Sequence, residues 1–199
     1  MKKLKIFIPL FILMIGLMLV SSAQSNTYTF SPIPSDLNDL DHYYYYTWGI
    51  NWSLPNGSTI TGAKLTYNDI YDWQVETDQL YTHLLNGATS GVVSIWDNQG
   101  GGDNFSGQGL LLGTWNDPIS GSSYSIDLFY DIPSSHFSWL SDGNFGFGID
   151  PDCHYYNSGI TFTIETTRDT GKTPEPSTIL LLGSGLIGLG GYAKRKFRK

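Results

Sequence analysis

Cysteine occurs once in the 199 residues, at Cys153. One thiol cannot close an intrachain disulfide, so the fold must be held by its core alone. It also leaves no lipid-attachment cysteine beside the N-terminal leader, which excludes a diacylglycerol anchor there. Cations are nearly absent between positions 24 and 173: Lys64, Arg168 and Lys172 stand against 17 acidic residues, a net charge of −14. So acidic a surface repels nucleic acid and anionic lipid and favours cations or neutral glycans. Glutamate is limited there to Glu76 and Glu165. A glycosidase needs two facing carboxylates, one with a raised pKa, and no such pair declares itself in the sequence. No Gly-x-Ser-x-Gly elbow, His-Glu-x-x-His pair or phosphate-binding glycine loop is present. Gly100-Gly101-Gly102 precedes no helix and reads as a flexible loop. These absences point to a non-catalytic protein. A 3.6-residue period and internal repeats are also missing from this region.

What the chain does have is a distinctive pair of ends. Met1, Lys2, Lys3 and Lys5 form a cationic opening, followed by an apolar run from Ile6 to Val20 and by Ser21-Ser22-Ala23. Small residues at the positions a signal peptidase reads predict a signal peptide over 1–23, cut between Ala23 and Gln24. Fifteen apolar residues interrupted by Pro9 are short for a membrane span. A second apolar run, Ile179 to Tyr192, precedes the basic tail Lys194-Arg195-Lys196-Phe197-Arg198-Lys199. Its leucines and isoleucines favour insertion by about 3 kcal/mol in all, and five glycines oppose it. The reading is a transmembrane helix that serves as a transient stop, with the basic tail cytoplasmic and residues 24–173 outside the inner membrane.

Pro174-Glu175-Pro176-Ser177, the glycine-rich apolar helix and the Lys/Arg tail together resemble the PEP-CTERM sorting signal of exopolysaccharide-producing Gram-negative bacteria. Three parts occur in the right order over the last 26 residues. The resemblance implies cutting near Pro174, Glu175 and Pro176 by an exosortase-type membrane protease. The precursor would be tethered to the inner membrane by its C-terminal helix, and the product sent to the cell surface or extracellular matrix.

Between the ends the pattern is that of strands. Tyr44, Tyr46, Trp48, Ile50, Trp52 and Leu54 fall on one face of an alternating run. Pro55-Asn56-Gly57-Ser58 reads as a turn, and Ile60 to Asn68 alternates again. Leu80–Leu85, Val92–Trp96, Leu110–Trp115, Tyr124–Tyr130, Asn144–Ile149 and Ile160–Thr166 are further strand candidates, and Pro133–Leu140 suits one helical turn. The expected fold is all-β, an antiparallel β-sandwich of jelly-roll type over 24–166, with a closed barrel as the alternative. Residues 167–177 read as an extended linker carrying the Pro-Glu-Pro motif, and 178–199 as the apolar helix with its tail.

Acidic loops supply candidate calcium ligands, because Ca²⁺ takes six to eight oxygens from carboxylates, amides and carbonyls. Four segments qualify: Asp36 to Asp41, Asp69 to Asp72, Asp97 to Asn104, and Asp150 to Asp152. Asp97, Asp103, Asp150 and Asp152 are the chosen ligands, and none fits the EF-hand spacing. Asp and Asn also favour turns for their own backbone bonding. Cys153 and His154 invite a zinc reading, but neighbours on an extended backbone point to opposite sides. His42, His83 and His136 stand alone in the sequence, so no zinc site is expected. Aromatic residues off the buried faces, Tyr43, Tyr45, Tyr71 and Trp73, are candidates for stacking on extracellular polysaccharide. The functional expectation is an exported, surface- or matrix-directed binding module. A polysaccharide-processing enzyme (glycosidase or lyase) on the same fold is the alternative, and a self-assembling matrix subunit a third.

Overall fold

The computed structural model describes residues 23–73, 78–98, 100–119, 124–169 and 176–197. Ser25–Arg168 form one compact unit. Among the described residues there are ten strands: β1 Ala23–Phe30, β2 Tyr44–Ile50, β3 Ser58–Asp72, β4 Leu80–Leu85, β5 Gly91–Trp96, β6 Leu110–Trp115, β7 Ile126–Asp131, β8 Phe145–Pro151, β9 Tyr155–Tyr156 and β10 Ile160–Asp169. They pair antiparallel into two five-stranded sheets, one in the order β1-β10-β3-β7 with β9 on β3, the other β5-β2-β8-β4-β6. Pro133 to Leu140 contains the expected helical turns, Ser134–His136 and Phe137–Ser141.

The period-two pattern decides which side chains form the core. Leu65 and Tyr67 on β3, Ile160, Phe162 and Ile164 on β10, Tyr46 and Trp48 on β2 and Phe145, Phe147 and Ile149 on β8 are all buried in one cluster. Phe162 meets Phe147 across the sheets with ring centres 4.8 Å apart and meets Phe145 at 5.6 Å. The hydroxyls of Tyr67 and Thr82 bond at 2.9 Å from one sheet to the other. Each such aromatic side chain contributes about 1.5–3 kcal/mol of burial.

Three local features set up the site. First, β8 is buried along its whole length. Phe145, Phe147 and Ile149 face the core; on the outer face Gly146 lies against Ala88, while Gly148 and Asp150 meet the segment that joins β5 to β6. Phe105 of that segment lies flat on Gly148, where an added Cβ would stand 2.7 Å from its ring. Second, β3 breaks register between Tyr67 and Ile70, where Asp69 takes a positive φ of 49°. Asn68 is tied there to Ser158 and Gly159, and the redirected strand end pairs Tyr71 and Asp72 with β9. Third, Leu37, Asn38, Asp39 and Leu40 form a left-handed turn with φ between 45° and 57°. Such a turn costs roughly 1–2 kcal/mol per residue. Full burial of Leu37 and Leu40 offsets it.

The structure departs from the sequence reading in several places: β2 ends at Ile50 although the alternation runs to Leu54, and β3 continues past Asn68 to Asp72, so Asp69 to Asp72 are strand rather than loop. β1 was not anticipated, because its polar residues Gln24 to Thr27 hide the pattern. β9 is too short to show a period. β10 continues to Asp169, beyond the expected end at 166. The helix Pro176–Lys196 is present, but among the described residues no helix is long and apolar enough to cross a membrane, so the expected transmembrane helix is not supported.

Candidate functional site

The polar side chains gather in two places, both reached by the chain between Asp150 and Tyr156. The first is the outer face of β8. Asp150 is fully buried there, and its Oδ2 accepts the Asn104 backbone N–H at 2.6 Å. Asn104 Nδ2 donates to Asp97 Oδ2 at 3.2 Å, and Asp152 Oδ1 accepts the Gly102 N–H at 3.0 Å. The opposite oxygens, Asp150 Oδ1 and Asp97 Oδ1, are buried and have no hydrogen-bond partner among the described residues. A buried, half-satisfied carboxylate resists ionisation. Burial accordingly pushes the Asp150 carboxyl up to about 6, with Asp97 and Asp152 adding to the effect and the bonds from Asn104 opposing it. Asp152 is raised too, again mainly by burial.

Asp97 from one expected loop and Asp150 and Asp152 from another therefore meet around Gly102 to Asn104. Asp103 is directed otherwise. Its Oδ1 accepts the Phe105 N–H at 2.9 Å and its Oδ2 lies 3.0 Å from His83 Nε2. His83 Nδ1 is 3.0 Å from the Gln108 carbonyl. His83, solitary in the sequence, is thus a buried clamp on this segment. Phe105 completes the clamp, packing edge-on against Tyr45 at 5.5 Å and against His83 at 5.9 Å.

The second place is a row of rings. Trp96 stacks on Tyr43 at 5.1 Å with 11° between planes, and His42 meets Tyr43 at 4.8 Å. His154 meets His42 at 5.0 Å and Tyr156 at 6.0 Å, and Tyr156 stacks on Tyr71 at 5.3 Å. Two aromatic candidates, Tyr43 and Tyr71, lie in this row; Trp73, two residues beyond Tyr71, is exposed. Tyr45 does not, since it supports Phe105. Trp96 and Tyr156 belong to the row although strand pattern alone did not single them out. Asp41, His42 and His154 bring one ligand atom each within 4.8 Å of one another. The expectation of isolated histidines is corrected for this pair, which only tertiary structure brings together.

The opposite-sides argument for Cys153 and His154 describes the segment well. Cys153 turns inward and its Sγ donates to Asp72 Oδ1 at 3.6 Å. Burial, then the Asp72 charge, pushes the thiol up to about 12, so it is neither thiolate nor ready ligand. Tyr155 also points inward, against Trp115 at 5.5 Å, while His154 and Tyr156 join the ring row.

The terminal residues complete the survey. Ala23 and Gln24, the expected cleavage pair, begin β1, and Pro176 begins the C-terminal helix. Pro174 and Glu175 lie outside the described residues, as do residues 1–22 of the leader. Residues 172–196 match the PEP-CTERM protein-sorting motif. No curated protein matches the chain. The motif implies an exported protein, anchored at the membrane until it is processed by exosortase, a membrane protease.

Proposed function

We propose that this exported, exosortase-sorted chain is a non-catalytic β-sandwich of jelly-roll type, held at the cell surface or in the extracellular matrix and stabilised there by calcium. The strand orders β1-β10-β3-β7 and β5-β2-β8-β4-β6 support the jelly-roll reading, with β5 as an added edge strand. The observation that carries the calcium reading is the pair of buried, unpartnered oxygens, Asp97 Oδ1 and Asp150 Oδ1, on either side of Asn104. Ca²⁺ is an oxygen-seeking cation of flexible coordination, and it would supply the missing partner to both at once. Calorimetric titration of the full chain in detergent micelles tests this. Calcium uptake is expected in the native chain and not in D150N. Equal uptake by both, or none by either, removes the calcium reading.

A raised carboxyl beside a second carboxylate is also what a glycosidase uses. Here Asp150 is fully buried and bonded to the Asn104 backbone, so no sugar ring reaches it. That favours binding over catalysis. Release of reducing ends from the host polysaccharide by the native chain, lost in D150N, would reverse this reading. The ring row, with exposed Trp96 and Tyr43, is the surface on which a glycan would stack. A glycan array with the native chain and a Y43A variant tests that part separately.

A further inference from the structure

We propose that Asp41, His42 and His154 form a second metal site, for a divalent first-row transition ion such as zinc, distinct in chemistry from the carboxylate cluster on β8. Three ligand types of the right softness converge: imidazole suits zinc, copper and nickel, and a carboxylate completes many such sets, whereas calcium takes oxygens. The ring geometry fits a shared ion. Two imidazoles on one tetrahedral zinc, with Zn–N of about 2.0–2.1 Å, hold their ring centres about 5 Å apart. The centres of His42 and His154 are 5.0 Å apart, inclined at 65°. Asp41 Oδ1 lies 3.9 Å from His154 Nε2. Two ligands of a tetrahedral zinc stand about 3.4 Å apart, so a small side-chain rotation closes the gap.

The backbone on both sides is fixed. Asp41 Oδ1 accepts the Tyr43 N–H at 3.0 Å, and the Asp41 carbonyl accepts from Tyr44 N–H at 3.0 Å and Tyr46 O–H at 3.2 Å. On the other side, Asn157 Nδ2 donates to the Asp36 carbonyl at 3.0 Å, and Ile160 N–H to the Ser35 carbonyl at 2.8 Å. These bonds hold the left-handed turn and the chain around β9 side by side with or without an ion. The three candidate ligands are half-buried, so an ion can reach them from solvent. Three protein groups leave the fourth position of a tetrahedron to water. Asp36 and Asp39 in the same turn add negative potential that favours a cation.

The test is zinc and cobalt titration of the full chain without a polyhistidine tag, in detergent and after chelator treatment. One zinc per chain is expected, displacing cobalt with a four-coordinate visible spectrum. Losing an outer-sphere partner costs a metal site about 10- to 100-fold in affinity, so H42Q and H154Q, which remove ligands, should each cost at least about 100-fold. D41N should cost about 10-fold. The metal-free variants should melt with the native chain, which separates a lost ligand from a lost fold. Millimolar calcium should leave zinc affinity unchanged, and D150N, which removes the calcium response, should leave it unchanged as well. No zinc uptake by the native chain, equal uptake by the H42Q/H154Q double variant, or displacement of zinc by calcium would each overturn the assignment.

Discussion

The two polar clusters draw on the same few residues of chain after β8, yet they are built in opposite ways. Asp150 is buried beside half-buried Asp97 and Asp152, and two of the cluster's carboxylate oxygens have no hydrogen-bond partner among the described residues. His154 turns outward to His42 and Asp41, where nitrogen and oxygen donors stay half-open to solvent. The difference teaches that alternation along a short extended segment can serve two ion chemistries at once. One cluster is all oxygen and centred on a buried carboxylate, the other imidazole-based and half-buried throughout. Both lie on a domain whose excess negative charge concentrates cations nearby.

The largest effect should come from removing the lid of the buried cluster. Phe105→Ala should cost about 3–5 kcal/mol of stability, the range for deleting a buried phenylalanine ring. It should also abolish any calcium response while leaving zinc uptake intact. Denaturant unfolding with metal titrations checks both, and loss of zinc uptake as well would show that the clusters are one cooperative unit.

Next in size is Asp150→Asn. The native Asp150 carboxyl keeps its proton up to about pH 6, whereas the unfolded one releases it near 3.8. The folded state therefore binds more protons in that window, and the stability of the metal-free protein should fall as pH rises from about 4 to 6 and stay level above. The whole penalty is at most about 3 kcal/mol. D150N should recover part of it at neutral pH and flatten the profile between pH 4 and 6, as followed by thermal melts in chelator. A native profile that rises through this window would mean that Asp150 is solvated or already paired.

A smaller effect concerns the inward branch of the segment. Because burial and Asp72 hold Cys153 protonated, a thiol reagent at pH 8 should label it far more slowly in the native protein than in denaturant. Equal rates would place Cys153 at the surface. The smallest belongs to the ring row: Tyr43→Ala removes one stacked partner of Trp96 and should cost no more than about 1.5 kcal/mol. A larger loss would make the row part of the core rather than a surface.

Most of the sheet was legible in the sequence because its inward faces carry large residues at strict alternation. Leu80–Leu85 and Leu110–Trp115 have the expected bounds, and Phe145, Phe147 and Ile149 share the expected face. β1 escaped because a peripheral strand with Gln24, Ser25, Asn26 and Thr27 at its start has no apolar period. Of the site, the acidic loops were visible as composition, and Asp97, Asp150 and Asp152 did converge. Their arrangement was not visible, because it depends on Gly148 admitting Phe105 and on Asn104 bridging two loops. Nor could the meeting of His42 with His154 be read. It depends on a left-handed turn at Leu37–Leu40, which Asn38 and Asp39 tolerate, Leu37 and Leu40 do not favour, and burial of the two leucines sustains.

The most direct test of the account is the melting temperature of the full chain at pH 7.5, first in chelator and then in millimolar calcium. Relief of the buried charge should raise it by roughly 3–8 °C in the native protein and leave D150N unmoved. An unchanged native melt, or an equal rise in D150N, would contradict the claim that Asp97 and Asp150 await a cation.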